Sequence, residues 1–192
     1  MGELHLEIVV DRLRRDFNVG VNTGKPQVSY RESIRAEGTA SHTYRKDFAG
    51  KRQFGHCLIK VERCDYPLGV CFESSVSKRN IPIEFIKSIE KSIRDTALGG
   101  GLAGYAFINI KATLQEAQFN ESESHEVAYS IAASMAFREA CHRAEIVLLE
   151  PLMLLEVITP PEYSGEVIAD LNGRRGCVLG IGPRQGKETI KA

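Results

Sequence analysis

Apolar and polar positions alternate in three regimes along the chain: a short helical start, a strand-rich middle with two long helices, and a final strand that gives way to a helix. Residues 3–16 place Leu4, Ile8, Leu13 and Phe17 near one stripe, with Arg12, Arg14 and Arg15 toward the end. That is the pattern of an amphipathic helix whose cations complement its dipole. Val19 and Val21 alternate with Gly20 and Asn22 and predict a short strand. Thr23-Gly24-Lys25-Pro26 reads as a hinge, because glycine widens and proline narrows the accessible backbone angles. Residues 1–26 are therefore expected to form one unit.

The second unit, residues 27–147, is expected to be α+β. Val28 to Arg31 alternates as a strand, with Thr43-Tyr44-Arg45 in its hairpin partner. Phe54 to Val61 follows as a strand after a turn at Gly50, and Cys71 to Val76 as another. Pro82 opens a helix whose apolar positions Phe85, Ile86, Ile89, Ile93 and Ala97 keep the 3.6-residue period. Gly99-Gly100-Gly101 stops it, and Ala106 to Ile110 resumes as a strand. The longest helix spans residues 124–143, with Ser124 as cap and Val127, Ile131 and Met135 as seam. Its Ala128, Ala132, Ala133 and Ala136 permit close approach to a sheet. Strands with two helices on one side define the α+β class.

Residues 148–192 make a third unit. Met153 to Ile158 reads as a buried strand, Thr159 as an N-cap, and Pro160 and Pro161 as the first helical residues. Glu162 and Glu166 favour the first turn, and Asn172-Gly173 ends the helix beside Arg174 and Arg175. Cys177 to Ile181 can return as a second strand. This is the opening of a βαβ-type unit that looks cut off. Such a unit is expected to expose apolar surface, and to be poorly ordered or to self-associate through it.

Composition narrows the function only by exclusion. Hydrophobic content of 43% and charged content of 26% are those of an ordinary globular protein. A formal net charge of zero provides no global attraction to nucleic acid, so any RNA contact needs a local basic patch. No apolar run approaches membrane-spanning length, and a cytoplasmic location is expected. The five cysteines form no C-x-x-C pair, which points to reduced thiols and no metal site.

Two glycine motifs invite a nucleotide reading. Gly99 to Gly104 satisfies G-x-G-x-x-G by letter, and a dinucleotide-binding enzyme is the alternative from a different class. Phosphate sites of that kind leave a strand and open a helix. Here the order is reversed, so the glycines sit at a helix C-terminus, where the dipole disfavours phosphate. Gly182 to Lys187 falls one residue short of a P-loop, and Glu188 stands where a hydroxyl would hold magnesium. The five histidines are scattered, and no catalytic constellation is present.

The loop Phe48 to His56 is richer. Lys51 and Arg52 can meet phosphates, Gln53 can bond a base edge or 2′-hydroxyl, and Phe54 can stack. The same residues also make a solvated hairpin with Phe54 in the core, and residue types alone favour that. Arg138, Arg143, Arg174 and Arg175 offer a second basic surface, though solvated helix ends are the reading their residue types favour.

Five stretches carry a family resemblance. LLEPLM with EVITPPEYSGEVIADLNGRRG, MGELHLEIVVDRLRRDFNVGVNTGKPQVSYRESI, and between them GKRQFGH, LAGY and YSIAASMAFREA resemble translation elongation factor G, in that family's order. The resemblance implies the end of the third domain (1–26), the fourth domain (27–147) and the start of the fifth (148–192). The fourth would be similar in fold to the second domain of ribosomal protein S5, and the fifth an incomplete ferredoxin-like unit. It implies a ribosome-interacting part of a translational GTPase. Its tip would enter the small-subunit decoding site and promote tRNA–mRNA translocation as a steric wedge. GTP and Mg would bind an upstream domain, with no catalysis or cofactor in these residues. The implied tip comprises Gly50, Lys51, Arg52, Gln53, Phe54, Gly55, His56, Phe119 and Asn120. Arg52 replaces the family's usual glycine, and Asn120 stands where histidine is common. These departures leave a ribosome-recycling paralogue and a tetracycline ribosomal-protection protein open.

Overall fold

The computed structural model spans residues 1–192 and describes all except 1–2, 25–26, 49–50, 67–68, 78–80 and 121, and the side chains of Glu3, Phe48 and Lys51. Helix α1 (Glu3–Arg15) forms as its stripe predicts. The strand expected at Val19–Val21 does not form. Asn18 adopts a left-handed φ of 53° while the Val19 N–H donates to the Leu13 carbonyl at 3.0 Å, and this C-cap turns the chain back instead.

The middle of the chain builds two sheets. Strand β1 (Arg31–Ile34) pairs antiparallel with β6 (Ile146–Leu149), and not with the Thr43 segment as its alternation suggested. Strands β2 (Gly38–Phe48), β3 (Lys51–Arg63), β4 (Val70–Ser74) and β5 (Ile110–Gln118) form a four-stranded sheet in the order β2-β3-β5-β4. The β2–β3 hairpin and β3–β5 are antiparallel, while β4 and β5 run parallel across the crossover helix α2 (Ile83–Leu98). Residues 106–109 precede β5 as a loop, because the Phe107 N–H donates to Ala97 and the Ile108 N–H to Glu32.

Helix α3 (Glu126–Arg143) lies across this sheet. Ala128, Ala132, Ala133, Ala136 and Ala140 are fully buried beside Tyr129, Phe137 and Cys141. The expected seam is on the wrong side: Val127 is 55% and Met135 49% exposed. Small residues win the sheet-facing positions because close approach gains more contact than bulk at a distance. Ser130 joins α3 to α2, sharing a hydrogen bond of 2.8 Å with Ser88 and accepting one of 2.6 Å from Ser92.

The last unit is a split βαβ. Strand β7 (Glu156–Thr159) and the hairpin β8 (Gly180–Arg184)–β9 (Lys187–Lys191) form a sheet ordered β7-β9-β8. The first predicted strand is shorter and starts at Glu156 instead of Met153, with Met153 83% exposed, while the second lies three residues further along; helix α4 (Ser164–Gly173) follows a 3-10 turn at Pro161–Tyr163. Arg175, not Gly173, takes the left-handed C-terminal position, at φ 65°. The near P-loop is the β8–β9 hairpin turn, with Gln185 and Gly186 at φ 48° and 77°. Leu152 and Leu154 are 89% exposed ahead of β7.

One buried charge ties β1 to the loop after α2. Glu32 on β1 has 0% exposure, and its carboxylate accepts N–H bonds from Gly101 (2.6 Å), Leu102 (2.9 Å), Ala103 (2.7 Å) and Tyr105 (3.1 Å). Gly100 makes room for this ring at φ 66°; a Cβ there would lie 2.4 Å from the Tyr105 carbonyl. Burial acts to raise the Glu32 pKa, but the four N–H groups outweigh it and hold the carboxyl below its ordinary 4.5. A depressed folded-state pKa stabilises the fold fully above the unfolded value, and that share is lost as pH falls through the folded one. Glu32→Gln should therefore destabilise the protein by about 2–4 kcal/mol at neutral pH in denaturant titration. The gap to wild type should narrow below about pH 4.

Candidate RNA-contacting tip

The β2–β3 hairpin projects past the N-terminal end of α3, and two packing devices fix its direction. Gly55 sits under α3 so tightly that a Cβ would lie 2.6 Å from the Ala128 carbonyl carbon. The Phe54 N–H donates to the Glu123 carbonyl at 2.8 Å, and Phe54 bridges Ser124 in parallel. The loop after β5 thus joins the hairpin as an extra edge. The two tip segments are one body.

Asn120 closes that loop. Its Oδ1 accepts from the Ser122 N–H (3.2 Å) and hydroxyl (2.9 Å), and its N–H donates to the Ser124 Oγ at 2.9 Å. Its carbonyl accepts from the N–H groups of Glu123 and Ser124. The side-chain oxygen is committed to the loop, which leaves the amide nitrogen as the outward donor. The helix cap expected of Ser124 belongs to His125; Ser124 instead bonds Asn120 and the Tyr129 hydroxyl.

The remaining tip residues divide by role. Gly50 lies outside the described residues, and Lys51 closes the ladder opposite Phe48. Arg52 is exposed and stands 3.7 Å from both Asp47 and Glu123. Gln53 is half-buried opposite Lys46. Phe54 is only 8% exposed with the Arg45 guanidinium 5.2 Å from its ring centre, so it does not offer the free stacking face expected of it. Phe119 is likewise engaged, 5.5 Å from the Phe85 ring. His56 shares a 2.7 Å hydrogen bond with Thr43 across the ladder. Sequence reasoning missed Arg45 and Asp47; only the cross-strand register puts them beside Phe54 and Arg52.

Charge is segregated along the open face of the sheet. Towards the base, Lys60 bonds Glu37 (2.8 Å) and Glu62 (3.3 Å), and Lys111 bonds Glu62 (3.4 Å) and Glu73 (2.9 Å). Hydrogen bonds to these carboxylates raise both lysines' pKa. Arg45, near the tip on this face, has no carboxylate in ion-pair range among the described residues. Of the second basic set, Arg143, Arg174 and Arg175 pair with Glu139, Asp170 and Glu150 at exposed positions. Nor do the Gly99–Gly104 N–H groups offer a dinucleotide site, since Glu32 already fills them with negative charge.

Comparisons with known proteins bear on this arrangement. The family model "Elongation factor G, domain IV" matches residues 26–145. The chain belongs to the elongation factor G family. The models of that factor's domain III and C-terminus match residues 1–25 and 147–192. A crystal structure of a protein from Thermus thermophilus superposes with a TM-score of 0.85 at 34% identity. The match covers 99% of this chain and 28% of that one. The fold is thus α+β with the family's domain IV and C-terminal architecture. No described helix is long and apolar enough to cross a membrane. Among the described residues no group of three or more His, Cys, Asp or Glu could hold a metal ion.

The close approach at Gly55 has a direct test. Gly55→Ala should push the hairpin off α3 and destabilise the protein by about 1–3 kcal/mol in urea unfolding.

Proposed function

We propose that this chain is the ribosome-contacting arm of a translational GTPase. Its tip enters the decoding region of the small subunit and favours forward movement of tRNA and mRNA by occupying the space they vacate. The observation that carries this reading is the union of two tip segments through Phe54 and Glu123 into one stiff end. A wedge must resist bending, and a ladder running from Gly38↔Val61 to Phe48↔Lys51, braced by α3, does so.

In this reading the described residues do no covalent chemistry. The β8–β9 turn is a hairpin and the other glycine loop is filled by Glu32, so neither fits a nucleotide phosphate. GTP, with Mg, would act in another domain of the parent protein, and GTP hydrolysis there would supply the energy that the arm directs. Lys51, Arg52, Gln53 and Asn120 are the contacts, with Phe54, Gly55, Phe119 and His56 supporting them from behind.

Single-round translocation by the full-length protein tests this, with Lys51, Arg52, Gln53 and Asn120 changed to alanine. Movement should slow about tenfold, or roughly 1.4 kcal/mol on the barrier, while ribosome-stimulated GTP hydrolysis persists. Unchanged movement would remove the wedge assignment.

A further inference from the structure

The hairpin and the loop after β5 enclose an open groove of about 600 Å³, lined by Arg45, Lys46, Asp47, Arg52 and Glu123. The three cations outnumber the two carboxylates. The β2–β3 register sets Arg45 opposite Phe54 and Asp47 opposite Arg52, so the groove runs along one face of the hairpin. The loop carrying Glu123 forms its other wall.

The two arginines are held in different ways. Arg45 rests over the Phe54 ring at 5.2 Å and makes no side-chain hydrogen bond among the described residues. A cation–π contact of this kind fixes the guanidinium without using up its N–H donors. Arg52 stands 3.7 Å from Asp47 and 3.7 Å from Glu123, with 70% of its side chain exposed. Those separations exceed hydrogen-bond length, so the pairs rest on screened attraction alone. An arginine so placed keeps its fork of donors ready for an oxyanion that can be gripped through two N–H bonds.

We propose that this groove is a binding site for one RNA backbone phosphate, seated between Arg45 and Arg52. Asp47 and Glu123 act as its gate. They hold Arg52 in the groove as weak counter-ions and give it up when a phosphate arrives. The inference rests on the proposed ribosomal role and specifies the chemistry of contact there.

The experiment is equilibrium binding of the full-length protein to programmed ribosomes with a non-hydrolysable GTP analogue, from about 50 to 200 mM KCl. Arg52→Ala and Arg45→Ala should each flatten the slope of log K against log salt by about 0.7–0.9, the loss of one phosphate contact. Asp47→Asn with Glu123→Gln should tighten binding several-fold, and should have no effect once Arg52 is alanine. A wild-type slope in both arginine variants would overturn the phosphate site while leaving the ribosomal role intact. Weaker or unchanged binding in the carboxylate double variant would overturn the gate. A wild-type protein with no salt-dependent ribosome binding would overturn both the site and the function on which it rests.

Discussion

A carboxylate without solvent contact organises the base of the central domain. Glu32 accepts four N–H bonds through its side chain, while its own N–H donates to Ala106 and its carbonyl accepts from Ile108. Tyr30 adds a ring contact to Tyr105 at 5.4 Å. Strand β1 is thus fastened to residues 100–108 on one side and to β6 on the other. The incoming and outgoing strands become one fixed unit. A buried charge demands this degree of satisfaction, because any missing donor leaves an unsolvated anion.

That unit and the tip lie at opposite ends of α3. The helix has 18 residues, hence a length of about 27 Å at 1.5 Å per residue. At one end Ala144 accepts N–H bonds from Arg35 and Ala36. At the other, Ala128 presses on Gly55. The alanine face between them lets the sheet lie close along the whole length. The tip is braced by the close contact of Gly55 with Ala128 and by the Phe85, Phe119 and Tyr129 rings packed beside it.

The net charge of zero conceals a useful asymmetry. Glu37, Lys60, Glu62, Lys111 and Glu73 neutralise one another across the base of the sheet. Such exposed networks add little stability individually. Their effect is to leave those lysines partnered, so that they offer little free positive charge. Arg45, Lys46 and Arg52 line the groove at the tip, where Asp47 and Glu123 temper them without cancelling them.

The sequence by itself determined the helices α1, α2 and α3, the hairpin around residue 50 and the α+β class, because these depend on local period and on glycine or proline punctuation. Its motifs also carried the family resemblance. The partner of β1, the buried side of α3 and the start of β5 were decided only in three dimensions. Each depends on which surfaces meet: β1 follows β6 and Glu32 instead of its own alternation, and α3 turns its alanines inward because the sheet comes close. The tip shows the same division. Lys51, Arg52, Gln53 and Asn120 are readable as polar residues in loops. That Phe54 lies under Arg45, that Asn120 binds its own loop, and that Asp47 and Glu123 flank Arg52 are facts of register and loop packing. Residues far apart in sequence acquire a common chemistry only when the backbone ladder sets them side by side.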